Sequence, residues 1–346
     1  MFVRNSLLSL SIFAGVGLVS AHEEAGADTT SAQENFSTSR PDGHAPIGVM
    51  GDHTHKAGEW MLSYRFMYMD MKGMRDGTNS LSTQEVFDEG YMMSPTEMSM
   101  EMHMLGVMYA PTDWVTVMAM LPFSHKTMDV QTRAGLSFTT ESTGINDVVL
   151  SGLFTLKQWE RQRLQLNAGF SVPTGSIDER DDTPMGSDQL LPYPMQMGSG
   201  TVDFLTSMTY AGESDSWSWG GQLGGVFRMG RNDEGYSLGN RGNATGWIAR
   251  KWADWISSSF RIDGSIWGNI DGRNDQLNPA MIPTADPDNQ GGRRIDLALG
   301  INLLKPSGTL EGNRLAIEVG APIYQDLDGP QMELDWTLTA GWQYAW

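Results

Sequence analysis

The chain has 346 residues and a net charge of −19, from 23 Lys and Arg against 42 Asp and Glu. This balance argues against nucleic acid as a partner, because neutralising phosphates needs clustered basic side chains. The absence of cysteine excludes disulfides, thiolate metal sites and cysteine nucleophiles, whereas 40 glycines and 12 tryptophans are typical of a β-barrel.

Residues 1–21 have the pattern of a secretory signal peptide. Arg4 supplies a basic charge, an apolar stretch runs from Leu7 to Val19, and small residues up to Ala21 form a cleavage site. The apolar stretch is shorter than the ~20 residues that a transmembrane helix needs, and no later stretch reaches that length. The sequence therefore predicts an exported chain, cut before His22, in which any membrane span is a β-strand.

Residues 22–57 are polar, rich in small residues and without periodicity. We expect the first half of this segment to be disordered in the periplasm. The second half is either part of the same flexible tail or a short plug that folds into a barrel lumen.

From residue 58 to the last residue, apolar side chains alternate with polar or small ones in blocks of about ten residues, the length of a tilted transmembrane strand. The pattern predicts an all-β fold, a transmembrane antiparallel barrel of the bacterial outer membrane with about twelve strands. The strand candidates are 58–71, 97–110, 113–129, 145–157, 161–173, 200–212, 215–230, 243–253, 255–268, 291–304, 312–322 and 332–346.

The connections between these strand candidates alternate between short turns and long loops, as in outer-membrane barrels, where the long loops lie outside the cell. The last strand, "ELDWTLTAGWQYAW", carries aromatic residues at alternate positions and ends on Trp346. It resembles the targeting strand of such barrels. We therefore expect outer-membrane lipid and lipopolysaccharide as surroundings, and the barrel-assembly machinery as a partner.

Two further stretches, "GINDVVLSGLFTL" and "LNAGFSVPTGS", are similar to paired strands of the outer-membrane transporter family called MetA-pathway of phenol degradation. The matching residues are Gly144, Asn146, Asp147, Val148, Pro173, Thr174 and Gly175. This family is distantly related to barrels of the fatty-acid-transporter type. The resemblance implies an outer-membrane location and the passage of hydrophobic or aromatic molecules, and it carries over no catalytic residue.

Methionine is concentrated at every second position of the first three strands, here called one parity of each strand. Since successive side chains of a strand point to opposite faces, this parity predicts a methionine-lined lumen wall. Its predicted members are Met61, Met67, Met69, Met98, Met100, Met102, Met104, Met108, Met118 and Met120. Arg65, Arg261 and Asp263 share the inward parity and either set the selectivity of an open lumen or fill a narrow one as a network of ion pairs.

All six histidines lie before residue 126, and "GDHTHKAG" places His53 and His55 two positions apart. Imidazole and thioether groups both suit copper, and thioether sulfur favours Cu(I). His53, His55, His44, Met102 and Met104 are therefore candidate ligands, with copper as the one candidate cofactor. The alternative is that the methionines only pack the N-terminal segment or give the lumen an adaptable apolar lining.

We predict no enzymatic activity, because His103 and His125 are the only barrel histidines and no G-x-S-x-G motif is present. The predicted function is passive passage of small solutes, including hydrophobic or aromatic ones, through the lumen. The alternatives are an outer-membrane protein that binds or handles copper, and a structural barrel whose loops bind partners.

Overall fold

The structure is a computed structural model and describes residues 36–346. The predicted signal peptide (1–21) and the first part of the polar N-terminal segment lie outside the described residues. Among the described residues, no helix is both long enough and apolar enough to cross a membrane. The helical elements are α1 (Thr83–Asp88) and two 3₁₀ turns, Tyr193–Met195 and Pro283–Ala285.

Nearly all regular structure is β. In chain order the strands are β1 (Trp60–Gly77), β2 (Asn79–Leu81), β3 (Met93–Thr112), β4 (Val115–Thr132), β5 (Ser137–Ile145), β6 (Val148–Trp159), β7 (Gln162–Val172), β8 (Arg180–Thr183), β9 (Gly186–Leu190), β10 (Val202–Glu213), β11 (Trp217–Met229), β12 (Tyr236–Ser237), β13 (Arg241–Ala253), β14 (Ile256–Trp267), β15 (Asp271–Gly272), β16 (Gly292–Leu304) and β17 (Asn313–Ala345).

Eleven of these strands form a closed antiparallel barrel in the order β1, β3, β4, β6, β7, β10, β11, β13, β14, β16 and β17. The barrel closes where β17 pairs with β1, from Met61 opposite Ala345 to Gly77 opposite Leu327. The predicted antiparallel β-barrel fold is thus confirmed. One end carries the short turns between strands and is called the short-turn end; the opposite end is the long-loop end.

Strand β17 is a hairpin of two strands. Its 33 residues would extend over roughly 110 Å, far more than the ~30 Å of a bilayer core. Its first half pairs with β16 and its second half with β1. The two halves are joined by mutual hydrogen bonds of 3.0 Å between the Gln325 side chain and the Leu334 backbone, with Gly329 at φ +73° between them. The wall therefore has twelve crossings, in agreement with the predicted number.

Burial alternates along the barrel strands. In β3 the side chains of Met104 and Met108 are buried, whereas Leu105 between them is 53% exposed on the outer surface. Leu223 and Leu299 are each 67% exposed on other strands. Such a belt of exposed apolar residues is unfavourable in water, and it matches the lipid-facing surface of a transmembrane barrel.

The strands at the long-loop end extend beyond the predicted ones. Strand β5 continues the sheet along β4, and two small hairpin-like pairs form from β8 with β9 and from β12 with β15. The loops that hold the two 3₁₀ turns fold back toward the lumen, where Met195 and Ala285 are buried in a common apolar cluster.

Candidate functional site

The lumen is occupied by residues 36–59, here called the lumen segment. Wall residues hold its backbone carbonyl groups. The Arg314 guanidinium donates to the carbonyl oxygen of Pro41 at 2.9 Å, and the Gln222 amide donates to that of Met50 at 3.0 Å. Because these contacts come from two separate parts of the wall, in β17 and β11, the segment lies inside the barrel.

Glycine allows close approach between the lumen segment and the wall. A side chain on Gly48 would overlap the Arg261–Glu318 ion pair. Gly51 has φ +62°, and a Cβ there would lie 2.7 Å from Nδ2 of Asn167. Both positions therefore favour glycine, Gly51 for its backbone conformation as well as for space.

A cluster of polar side chains lies at the centre of the lumen segment. The Asp52 carboxylate contacts Nδ1 of His53 at 2.7 Å through Oδ1 and accepts the N–H of Ala45 at 2.8 Å through Oδ2. The rings of His44 and His53 are 3.9 Å apart, and those of His53 and His55 are 5.0 Å apart. The three histidines named from the sequence therefore come together around one carboxylate.

Burial and charge determine the ionisation of this cluster. Burial works to raise the pKa of Asp52, but the adjacent His53 outweighs it by charge and hydrogen bonding and lowers the pKa well below its usual range. Burial lowers the pKa of His55 to about 3 and the pKa of His44 well below its ordinary value. At neutral pH the Asp52 carboxylate is ionised, and His44 and His55 are neutral with free lone pairs.

Two imidazole nitrogens in the cluster have no hydrogen-bond partner within the described part of the chain. They are Nε2 of His53 and Nε2 of His55, and both are buried. His53, which is 1% exposed, lines a small cavity of about 30 Å³ between the segment and the wall. The methionines that line this cavity are Met50, Met61, Met104, Met108, Met118 and Met120.

The methionines of the first three barrel strands form rows across the wall. At the short-turn end, Met61 is opposite Met108, which is opposite Met118, and the row packs with Leu153. At the long-loop end, Met98 is opposite Met128, and both pack against the inward-folded loops. The two rows therefore belong to two separate apolar clusters.

A buried lysine holds a loop in place at the long-loop end. Lys126 points inward from β4 and donates from Nζ to the carbonyl oxygens of Pro194 and Gln196, at 2.8 and 2.6 Å. Ser142 donates to the carbonyl oxygen of Met195 at 2.7 Å. The loop is thus fixed to the wall at this end, while the lumen segment fills the other.

Between this loop and the lumen segment, four inward methionines are only half-buried: Met67, Met69, Met100 and Met102. Since they face away from the lipid side, their exposed fraction borders space inside the barrel. The other predicted methionines, Met61, Met98, Met104, Met108 and Met118, are buried, and Met120 is half-buried at the cavity.

The charged residues named from the sequence are engaged in contacts inside the barrel. Arg261 pairs with Glu318 at 2.7 Å and with Asp263 at 3.2 Å. Arg65 lines the small cavity and lies 3.5 Å from the carbonyl oxygen of Val49. Arg261 is therefore paired with carboxylates, whereas Arg65 contacts a backbone carbonyl group.

The structure brings part of the predicted metal-ligand set together. Met104 lines the same cavity as His53, whereas Met102 is not among the residues that line it. Sequence reasoning missed three basic residues, Arg163, Arg314 and Lys126, whose side chains hold the segment or a loop. All three lie at inward-facing positions of their strands. This is the sequence signal that indicates a role inside the lumen.

Comparison with solved structures supports the barrel fold. An outer-membrane channel from Pseudomonas putida F1 superimposes with a TM-score of 0.60 at 11% identity, covering 85% of this chain and 97% of that chain. The β domain of the Bordetella autotransporter BrkA gives a TM-score of 0.43 at 9% identity, covering 84% of this chain and 100% of that one. No protein-family model and no curated protein matches the chain. The family resemblance seen in the sequence therefore stays a prediction.

Proposed function

We propose that the protein is a passive channel of the outer membrane whose lumen segment is the gate. The observation that carries the proposal is the division of the lumen: half-buried methionines border an interior space, and the lumen segment fills the short-turn end. The cavity left beside the segment, about 30 Å³, has room for one or two water molecules and none for an organic solute. Passage therefore requires the segment to move.

The proposed solutes are small organic molecules with an apolar face, including hydrophobic or aromatic ones. Met67 and Met102, directly opposite each other on adjacent strands, offer flexible thioether side chains that adapt to varied shapes. Arg261 is engaged by Glu318 and Asp263 and is therefore not free to select ions. A lumen of this kind selects by size and apolar contact rather than by charge.

The same proposal includes an exported chain with a cleaved signal peptide, insertion by the barrel-assembly machinery, and contact with lipid and lipopolysaccharide. The short-turn end would face the periplasm and the long-loop end the outside of the cell, as in outer-membrane barrels generally. The proposal also places the chain in the transporter family called MetA-pathway of phenol degradation. It assigns the protein no covalent chemistry.

A reversible cross-link tests the gate. A Cβ on Gly51 would lie 3.7 Å from that of Asn167, inside the range of about 3.5–4.5 Å that a disulfide needs. We expect the Gly51→Cys/Asn167→Cys protein to conduct in planar bilayers when reduced, to stop when oxidised and to recover on reduction. A variant without residues 22–57 should conduct continuously.

The matched control links two wall strands instead. A Cβ on Gly106 would lie 3.9 Å from that of Ser63, so Ser63→Cys/Gly106→Cys forms a disulfide without tethering the segment. Its conductance should not change on oxidation. If neither the reduced proteins nor the truncated variant conducts while all retain the folded barrel, the channel proposal fails. If oxidation of Gly51→Cys/Asn167→Cys has no effect on a measurable conductance, the segment is not the gate.

A further inference from the structure

The cavity beside His53 combines an unpartnered buried imidazole nitrogen with thioether side chains. His53 is 1% exposed, its Nε2 lacks a hydrogen-bond partner among residues 36–346, and six methionines line the same cavity. We propose that this cavity is a binding site for a soft monovalent metal ion, Cu(I), with His53 Nε2 and methionine sulfurs as ligands.

The ligand types favour this ion over harder ones. Thioether sulfur is a soft donor that selects Cu(I), whereas Mg²⁺, Ca²⁺ and Mn²⁺ prefer carboxylate and carbonyl oxygen. The chain has no cysteine, so methionine is its only sulfur donor. Met108 and Met118 face each other on adjacent strands and supply two sulfurs from one row of the wall. Met50 adds a third from the lumen segment.

Asp52 prepares His53 for this role. Metal-binding histidines commonly donate the N–H of the second ring nitrogen to a carboxylate, which fixes the tautomer and orients the ring. The contact of 2.7 Å between Asp52 Oδ1 and His53 Nδ1 is of this kind. In the metal-bound form the proton stays on Nδ1, and Nε2, the nitrogen without a partner, provides the lone pair. The Asp52 carboxylate also supplies negative charge close to the bound cation.

The size of the cavity fits a single ion. Its volume of about 30 Å³ is enough for a single ion or for one or two water molecules. Polar side chains also line the cavity, among them Ser63, Arg65 and Gln343. A Cu(I) ion there has soft ligands in the methionine sulfurs, and the Asp52 carboxylate offsets the positive charge of Arg65.

An alternative metal site uses oxygen and nitrogen ligands only. Ligand atoms of His44, Asp52 and His53 all lie within 4.8 Å of one another, a set that suits Zn²⁺. However, both Asp52 oxygens are engaged, with His53 and Ala45, and His44 Nδ1 contacts Gln343 Oε1 at 3.2 Å. His53, whose Nε2 is unengaged, and the six methionines line the same cavity, which favours the soft-metal site.

The proposal is tested by anaerobic titration of the purified full-length protein with Cu(I) in competition with bicinchoninate. We expect one Cu(I) per chain, with sulfur and nitrogen ligands in X-ray absorption spectra. Replacing the facing pair, Met108→Leu/Met118→Leu, should weaken Cu(I) binding at least about tenfold. Met-to-Leu exchanges conserve volume, so the barrel should stay folded. His53→Gln should also weaken binding.

The control variants carry the same types of substitution at positions outside the cavity. Met98→Leu/Met128→Leu changes the facing pair in the other cluster and should leave Cu(I) affinity unchanged. His125→Gln changes a histidine that contacts Thr143 on the outer face and should also have no effect. Absence of Cu(I) binding, equal loss in both methionine pairs, or Zn²⁺ binding with unchanged Cu(I) affinity in Met108→Leu/Met118→Leu would overturn the proposal. The titration does not depend on conductance, so its failure leaves the channel proposal standing.

Discussion

Asp52 and His53 are neighbours in the chain and form a buried carboxylate–imidazole pair, with 2.7 Å between Oδ1 and Nδ1. The other carboxylate oxygen accepts the N–H of Ala45, seven residues earlier. One side chain therefore closes a compact turn of the lumen segment and orients the imidazole.

The first prediction concerns this carboxylate. Asp52→Asn should weaken local stability of the lumen segment by about 2 kcal/mol, because an amide cannot accept both donated hydrogen bonds as strongly as a carboxylate. Hydrogen exchange at the Ala45 amide measures the loss. Asp215→Asn changes an exposed carboxylate that pairs with Arg161; it is the control and should leave that exchange rate unchanged. Equal effects of the two variants would contradict the role given to Asp52.

The second prediction separates backbone strain from steric contact at two glycines with positive φ. Gly51→Ala, at φ +62°, should lower the stability of the lumen segment by about 1–2 kcal/mol because of the left-handed backbone. The contact with Asn167 should lower it further. Gly58→Ala, at φ +86°, should lower the stability only through the backbone conformation, since nothing lies within 4 Å of its Cβ position. Protease cleavage within residues 36–59 should therefore rise more for Gly51→Ala. Equal cleavage would show that the close approach to Asn167 is absent in solution.

The third prediction concerns the loop that is fixed to the wall at the long-loop end. Lys126→Met removes two hydrogen bonds from a charged donor to the loop carbonyls of Pro194 and Gln196, each worth about 1.5–3 kcal/mol. Proteolysis within residues 176–199 should accelerate about tenfold or more. The control, Lys157→Met, changes an exposed lysine of β6 and should leave the cleavage rate unchanged. An unchanged rate in Lys126→Met would exclude the lysine as the anchor.

The fourth prediction tests the apolar anchor of the same loop. Met195 is fully buried against Met98 and Met128, so Met195→Ala should destabilise the loop by about 2–5 kcal/mol through lost packing and a cavity. Met185, 63% exposed in the same connection, provides the matched change Met185→Ala with little effect. Hydrogen exchange of the 191–197 amides distinguishes the two. Similar exchange in both variants would mean that this cluster does not hold the loop.

The sequence predicted the barrel well because a strand repeats every two residues and one face meets lipid. "LQLNAGFSV" alternates strictly, and the structure places Phe170 outward and Ser171 inward in β7. Strand β5, "SFTTESTGI", has polar residues on both faces, and its pattern therefore carried no signal. Where a strand extends beyond the bilayer, no lipid contacts it, and its apolar and polar side chains need not alternate.

The site was less accessible from the sequence because its contacts join distant residues. The parity of Met104 and the spacing of His53 and His55 were visible, and these residues do lie close together. Arg314 and Pro41, whose contact holds the segment, are 273 residues apart, and no local pattern links them. The sequence also does not show how far the segment enters the lumen. It could therefore not indicate that Met104, rather than Met102, lines the cavity beside His53.

The seam between β1 and the second half of β17 has a consequence for the proposed gate. The lumen segment leads directly into β1 at Trp60, and it is held by Arg314 and by Gln343, both on β17. The strand pair that seals the wall is thus flanked on the inside by the segment that the wall encloses. Because the chain enters the wall at this seam, the last residue of the segment stays fixed there when the rest of the segment moves. A displaced segment therefore remains tethered to the barrel and returns to the same contacts.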